Sequence, residues 1–345
     1  MGVPLPPAFY LGDYRLATDL RAVLARGWQL AAHASELAGS ADHVFTQVAD
    51  APVILVRGED GVLRAFPNVC RHRAGPLALA NGRGARLLQC RYHGWIYGLD
   101  GRLKRAPQMQ DAPGFEAREI RLPPLAVAEW LGLVFVSLAA EPAPFPEVVA
   151  GIAERIAPAG FAAMRHVHSR TYDVGCNWKV YVDNYVEAYH LPTVHPGLTQ
   201  ALDYQSYHTE TARWHSLQHS PVAADGAAYG PGHAWYWFVY PNTMLNVMPG
   251  RLQANRVLPA GPDRCRVEFH YYYLPDPQAE ARIAADLAFT DRVQLEDGAI
   301  CEQVQRGLAS GFYYPGWLNP RHEGAVAHFH WLLTEDYARD TEVNA

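Results

Sequence analysis

The chain has 345 residues, enough for one large or two ordinary domains, and its 49% hydrophobic content supports a sizeable core. A net charge of -6 argues against a general nucleic-acid binder, and no apolar run approaches the length of a membrane span. Five scattered cysteines make no disulfide framework, and the opening MGVPLPPAFYLGDY carries neither secretory-signal features nor a myristoylation pattern, so a reducing, cytoplasmic setting is expected.

In chain order, residues 19–26 read as a short helix leading to Gly27-Trp28. β character follows. Residues 43–49 and 52–57 alternate or run apolar, and Gly58-Glu-Asp-Gly61 turns the chain into 62–66. Residues 95–103 form another hairpin with an Asp100-Gly101 turn, and 125–130 with 133–138 close the β-rich part. The Pro-rich stretch 141–146 reads as a linker. Three segments are therefore expected: 1–37 packing on the larger C-terminal domain, a small all-β domain at 38–142, and that larger domain at 143–345. Beyond the linker, 168–174, 235–247 and 266–274 read as strands, 177–190 as a helix, and 278–309 as a long amphipathic helix. Strands and helices in separate blocks give an α+β class.

The β-rich part carries Cys70-Arg-His72 and, seventeen residues on, Cys90-Arg-Tyr-His93. Mixed thiolate and imidazole arms at this spacing suit a Rieske [2Fe-2S] cluster, with two thiolates on one iron and two imidazoles on the other. A Cys2His2 zinc site is the alternative. From Arg64 to Arg105 there are nine Arg or Lys and one acid, Asp100, so this region is strongly positive within an acidic protein. It is either a solvated basic surface or a docking face for an acidic electron donor.

Further on, Asn177-Trp-Lys179 opens a run ending in His190-Leu-Pro192-Thr-Val-His195. On an unbroken helix, five residues leave two side chains about 140° apart, so His190 and His195 share an ion only if Pro192 re-aims the chain. They are structural histidines or two ligands of a facial triad that needs a carboxylate. Glu296, Asp297 and Glu302 lie on the long helix. Steps of about 100° place Asp297 among Val293, Ile300, Val304 and Leu308, with Glu296 at the rim and Glu302 opposite. A carboxylate within a buried stripe needs a partner, either a metal or a buried Arg.

These motifs, with Glu187-Ala-Tyr-His190 and the tract Tyr240-Pro-Asn-Thr-Met-Leu-Asn246, resemble the large (alpha) subunit of Rieske non-haem iron oxygenases, in its choline-monooxygenase-like and N-demethylating branch. The resemblance covers nearly the whole chain. It implies a Rieske domain with Cys70, His72, Cys90 and His93 on the cluster, and a helix-grip (START-like) catalytic domain with Fe(II) on His190, His195 and Asp297. It further implies a homotrimer in which the acidic residue three before the first histidine ligand, here Glu187, links the cluster of one subunit to the iron of the next. O2 is the co-substrate, and a separate reductase or ferredoxin docking near the basic region brings electrons from NAD(P)H. No Gly-x-Gly-x-x-Gly fingerprint marks this chain as the NAD(P)H-oxidising unit.

The expected activity is hydroxylation or oxidative N-demethylation of a small organic substrate. Many ring-dihydroxylating relatives carry Asp where this chain has Glu187. An arene cis-dihydroxylating dioxygenase is the alternative, and an electron-transfer Rieske protein is a more distant one. Aromatic residues crowd 204–240, 271–273 and 312–317. Most are expected in the core, and any that line the pocket would cage a quaternary ammonium by cation–π attraction or surround an arene. Asn184 and Asn246 are candidate polar contacts.

Overall fold

A computed structural model describes residues 2–222 and 232–343. The chain divides into two compact units, Leu24–Ala143 and Met1–Val23 with Pro144–Ala345. Residues 24–37, expected with the N-terminal segment, fall in the β-rich unit because Gln29–His33 pairs with Leu133–Ser137.

The β-rich unit holds three antiparallel sheets of three strands. In one, Ala51–Arg57 is the central strand between His43–Val48 and Leu63–Pro67. Val53 to Val56 are fully buried, and the two-residue period of a strand splits them. Val53 and Leu55 join one core with Val44, Val134 and Val136. Ile54 and Val56 join another with Phe66, Cys70, Cys90, Trp95 and Tyr97. This strand therefore builds the floor beneath both cysteine loops. A second sheet orders Leu88–Gln89, Ile96–Tyr97 and Leu103–Arg105, so Cys90 to Trp95 forms a hairpin connection.

The other unit is a seven-stranded antiparallel sheet. Its order is Arg165–Val174, Arg264–Tyr273, Arg251–Gly261, Thr243–Met248, His233–Val239, His215–Pro221 and His208–Thr211. The long helix Glu280–Ala309 and the short helix Trp178–Tyr185 pack together against it. Among the described residues no helix is long and apolar enough to cross a membrane. Several sequence expectations are corrected. Residues 235–247 are a hairpin, turned at Tyr240 to Asn242, rather than one strand. The helix expected at 177–190 stops at Tyr185. The helix expected at 19–26 begins earlier, at Asp13, and continues through Asp19–Leu24.

The Asn177-Trp-Lys motif starts the short helix and ties down the N-terminal segment. Asn177 caps the helix, its Oδ1 accepting from the Lys179 N–H at 3.0 Å. Lys179 and Asp19 form an ion pair with both side chains at 0% exposure. Trp178 Nε1 donates to the same carboxylate at 2.9 Å, and Tyr337 donates to its other oxygen at 2.5 Å. Burial pulls the Lys179 ammonium down to about 8 against the opposing pull of Asp19. Lys179→Met removes the cation and strands a buried carboxylate, so it is expected to cost about 3–5 kcal/mol. A denaturant titration checks this. A shifted midpoint with an unchanged slope is expected, and an unchanged midpoint would contradict it.

Candidate metal centres

The two cysteine loops have matching closures. Cys70 N–H donates to Gly75 O at 2.9 Å, and Cys90 N–H donates to Trp95 O at 2.8 Å. Asn68 braces the first loop: its Oδ1 accepts from Leu77 and Ala78 N–H at 2.8 and 2.9 Å, and its Nδ2 donates to Ala78 O at 2.7 Å. Gly75 permits a close approach, since a Cβ there would lie 2.8 Å from Cys90 Sγ. Cys70 and Cys90 are buried side by side, and burial pushes the Cys70 thiol up. The His72 and His93 rings lie 4.5 Å apart, and His72 stacks on Trp95 at 4.9 Å.

Thiols are thus grouped with thiols and imidazoles with imidazoles, as a two-iron cluster with split ligation requires. Among the described residues, no three of these four groups lie close enough to hold one ion together, which disfavours the zinc alternative. A bound metal would stabilise the Cys70 thiolate that burial alone opposes.

In the other unit His190, His195 and Asp297 converge, each offering a ligand atom within 4.8 Å of the others. Asp297 Oδ1 is the hub. It lies 2.8 Å from His195 Nε2 and 3.7 Å from His190 Nε2, and it accepts from Asn184 Nδ2 at 2.6 Å.

The histidines meet by a different route from the one expected. Pro192 sits in the first turn of a new helix, Leu191–Val194, where a missing N–H is tolerated. The chain has already left the helical path after Tyr185, and His195 breaks it again at φ -123° and ψ 70°. The two rings stand 5.1 Å apart, nearly perpendicular.

Each histidine presents Nε2 to the centre while a carboxylate holds Nδ1. Glu187 Oε1 takes His190 Nδ1, and its Oε2 accepts from the Tyr189 and His190 N–H groups. Glu296 Oε2 lies 2.6 Å from His195 Nδ1. Such outer carboxylates fix the tautomer and raise ligand basicity. Burial lowers the His195 pKa, but Asp297 and Glu296 together outweigh it and raise the net value. Two imidazoles and one carboxylate are the donor set of a facial-triad iron site.

Sequence reasoning left Glu296 at the rim of the helix without a role. Its one signal was adjacency to Asp297. Asn184, a candidate polar contact, lines both cavities and also donates to Asp297, and Glu302 accepts from Gly175 N–H at 3.1 Å, away from the centre.

Two cavities share Asn184, Glu187 and His190. One of about 90 Å³ is walled by Tyr181, Tyr185, Tyr207, Tyr236 and Asn246 and reaches His195 and Asp297. The other, about 650 Å³, is lined by Tyr10, Asp183, Phe312, Tyr313, Glu323 and His330 among others. Trp237, Phe238 and Tyr271 to Tyr273 are core. Residues 223–231 of the aromatic tract lie outside the described residues.

Comparison with known proteins converges on the same chemistry. Residues 27–121 match the Rieske [2Fe-2S] domain, and 161–338 match the ring hydroxylating alpha subunit catalytic domain. Chloroplastic choline monooxygenase of Arabidopsis thaliana is 35% identical over 95% of this chain and 81% of its own. The carnitine monooxygenase oxygenase subunit of Escherichia coli is 29% identical over 96% of this chain and 93% of its own. The solved structure of the quaternary ammonium Rieske monooxygenase CntA with an inhibitor superposes with a TM-score of 0.89 at 27% identity, covering 97% and 95% of the two chains. A naphthalene 1,2-dioxygenase from Rhodococcus shares the fold, with a TM-score of 0.81 at 18% identity. With both domains matched in order and four fifths of the Arabidopsis relative's length covered, the chain belongs to the alpha subunits of Rieske non-haem iron oxygenases, oxidoreductases that carry a [2Fe-2S] cluster and a mononuclear iron.

Proposed function

We propose that this chain is the terminal oxygenase of a system that hydroxylates or oxidatively N-demethylates a quaternary ammonium or N-methyl compound. O2 and electrons from a separate NAD(P)H reductase complete the reaction. The observation that carries the reading is the small cavity. Four tyrosines wall it, and its floor is the His190, His195 and Asp297 set. Tyrosine faces attract a trimethylammonium head, and the nearby carboxylates favour a cation. The names of the choline and carnitine relatives point to the same substrate class.

Cys70 and Cys90 hold one cluster iron, His72 and His93 the other, and His190, His195 and Asp297 hold the mononuclear iron. The metals, when bound, supply electron delivery and oxygen activation. The chain's residues supply the rest. Glu187 and Glu296 keep the histidines in the ligating tautomer, Asn184 aims Asp297, and the tyrosine wall positions the substrate. In a homotrimer Glu187 also faces a cluster histidine of the neighbouring copy, joining the two centres by hydrogen bonds. The free thiols suit the cytoplasm.

The basic surface is the docking face for the electron donor. Arg64 is paired with Asp60 at 2.6 Å, and Arg102 and Lys104 lie near Asp100 at 3.8 Å. Arg71, Arg73 and Arg91 are exposed on the cluster loops and make no ion pair among the described residues. Reduction by the native donor should slow about tenfold or more between low and high salt, as steered encounters do. A rate indifferent to ionic strength would remove the docking role.

The activity itself is tested by a single turnover. The anaerobically reduced protein is offered a mixed panel of N-methylated amines, betaines and arenes, and O2 is then admitted. Formaldehyde or a singly oxygenated amine is expected. A cis-diol would move the protein to ring dihydroxylation.

A further inference from the structure

Three thiols that the metal centres do not use meet in the unit that holds His190. Cys176 follows the strand Arg165–Val174, Cys265 lies in Arg264–Tyr273, and Cys301 lies on the helix Glu280–Ala309, one turn beyond Asp297. Antiparallel pairing sets Val174 opposite Cys265, and Cys176 Sγ lies 3.9 Å from Cys265 Sγ. Cys301 approaches the same Cys176 sulfur from the helix, with Val180 O 4.0 Å from its own. All three thiols are free and at most 1% exposed.

Burial usually leaves a thiol inert. Two features set this group apart. Cys301 borders the cavity of about 650 Å³ that also touches Glu187 and His190, so a small oxidant in that cavity meets its sulfur. Behind it, hydrogen bonds from Cys265 and Cys301 hold the Cys176 thiol well below its usual range, against burial and the charge of Glu302. The same hydrogen bond holds the proton on Cys301, which faces a thiolate able to accept it.

We propose that Cys301 and Cys176 form a dithiol site that hydrogen peroxide oxidises to a disulfide beside the mononuclear centre. Peroxide arises when O2 takes two electrons and two protons without oxidising substrate; only this source rests on the oxygenase reading above. The Cys301 sulfur attacks the O–O bond as Cys176 takes its proton. Cys301 becomes a sulfenic acid, and the leaving hydroxide regains that proton as water. The Cys176 thiolate then attacks the Cys301 sulfur. The S–S bond forms, the S–O bond breaks, and the departing hydroxide takes a proton from solvent. In sum, two thiols and one peroxide give one disulfide and two waters. Cys265 stays a thiol, hydrogen-bonded to Cys176. In a reducing compartment such a bond is transient.

The test exposes the holoprotein to a few equivalents of hydrogen peroxide, blocks the remaining thiols, and maps the peptides by mass without reduction. A Cys176–Cys301 disulfide is expected in the wild-type chain, reversed by dithiothreitol. With dimedone present, Cys176→Ala should trap the sulfenic acid on Cys301 at a level at least about tenfold above Cys265. Cys301→Ala should give neither the disulfide nor the adduct. The wild-type map needs no variant to fold. Wild-type chains in which Cys176 and Cys301 remain unlinked, whether all three thiols stay free or Cys265 is the one joined, would overturn the proposal and leave the oxygenase reading untouched.

Discussion

Asp297→Ala is expected to abolish turnover and empty the mononuclear site while leaving the cluster spectrum unchanged. Asp297 Oδ1 is the one atom on which His190, His195 and Asn184 all converge. Without it, two imidazoles remain and no protein oxygen closes the ligand set. The loss should exceed the roughly 10–100-fold that outer carboxylates alone contribute, because a ligand itself is removed. The cysteine loops take their support from Asn68, Gly75 and the Ile54 core, all in Leu24–Ala143, so the cluster should load normally. Iron analysis with visible and electron paramagnetic resonance spectra checks both halves. Full mononuclear iron in this variant would refute the ligand assignment.

Glu187→Gln is expected to retain the cluster but lower turnover or mononuclear iron affinity by about 10–100-fold. The carboxylate accepts from the Tyr189 and His190 N–H groups and takes His190 Nδ1, so it needs acceptor capacity at both oxygens. A glutamine has one acceptor oxygen. If its amide nitrogen turns toward His190, it donates to Nδ1 and favours the tautomer with the proton on Nε2, the atom that must ligate. Glu296→Gln perturbs His195 in the same way but with a smaller effect, because the Glu296 side chain is 35% exposed and water can compensate. Metal content and coupled turnover separate the two variants from wild type. Unchanged turnover in Glu187→Gln would exclude both the orienting and the bridging role.

The candidate ligands stood out in the sequence because ligation restricts residue type. Cysteine and histidine pairs at fixed spacing serve few purposes besides holding metal, and an acid inside a helical stripe calls for a partner. The stripe was only partly placed: Leu308 is buried as expected and Val293 and Ile300 are half-buried, but Val304 is 46% exposed, and the buried residues of Glu280–Ala309 also include Asp286, Thr290, Gln294 and Gln305. The face is polar because what it meets is polar: Tyr273 donates to Asp286, Tyr181 to Gln294, and the Asn177 N–H to Gln305. A hydrophobic wheel cannot register a face satisfied by hydrogen bonds, and Asp297 survived the error because it lies between the two candidate faces.

The same blindness hid His215–Pro221 and Arg251–Gly261 as strands, since Gln218, Gln253 and Asn255 are polar yet buried in them, while the largely exposed His208–Thr211 offers no apolar pattern at all. Asp19 as the partner of Lys179 was beyond reach on different grounds. The two are 160 positions apart, and only the fold brings them together.

The most direct test of the central claim is nitric oxide binding to the reduced protein, with and without a trimethylammonium ligand. Nitric oxide reports an Fe(II) with open positions and requires no turnover. The account predicts a high-spin iron nitrosyl signal that changes when the ligand fills the tyrosine-walled cavity and that is lost in Asp297→Ala. A signal that persists in Asp297→Ala, or that ignores every quaternary ammonium ligand, would contradict it.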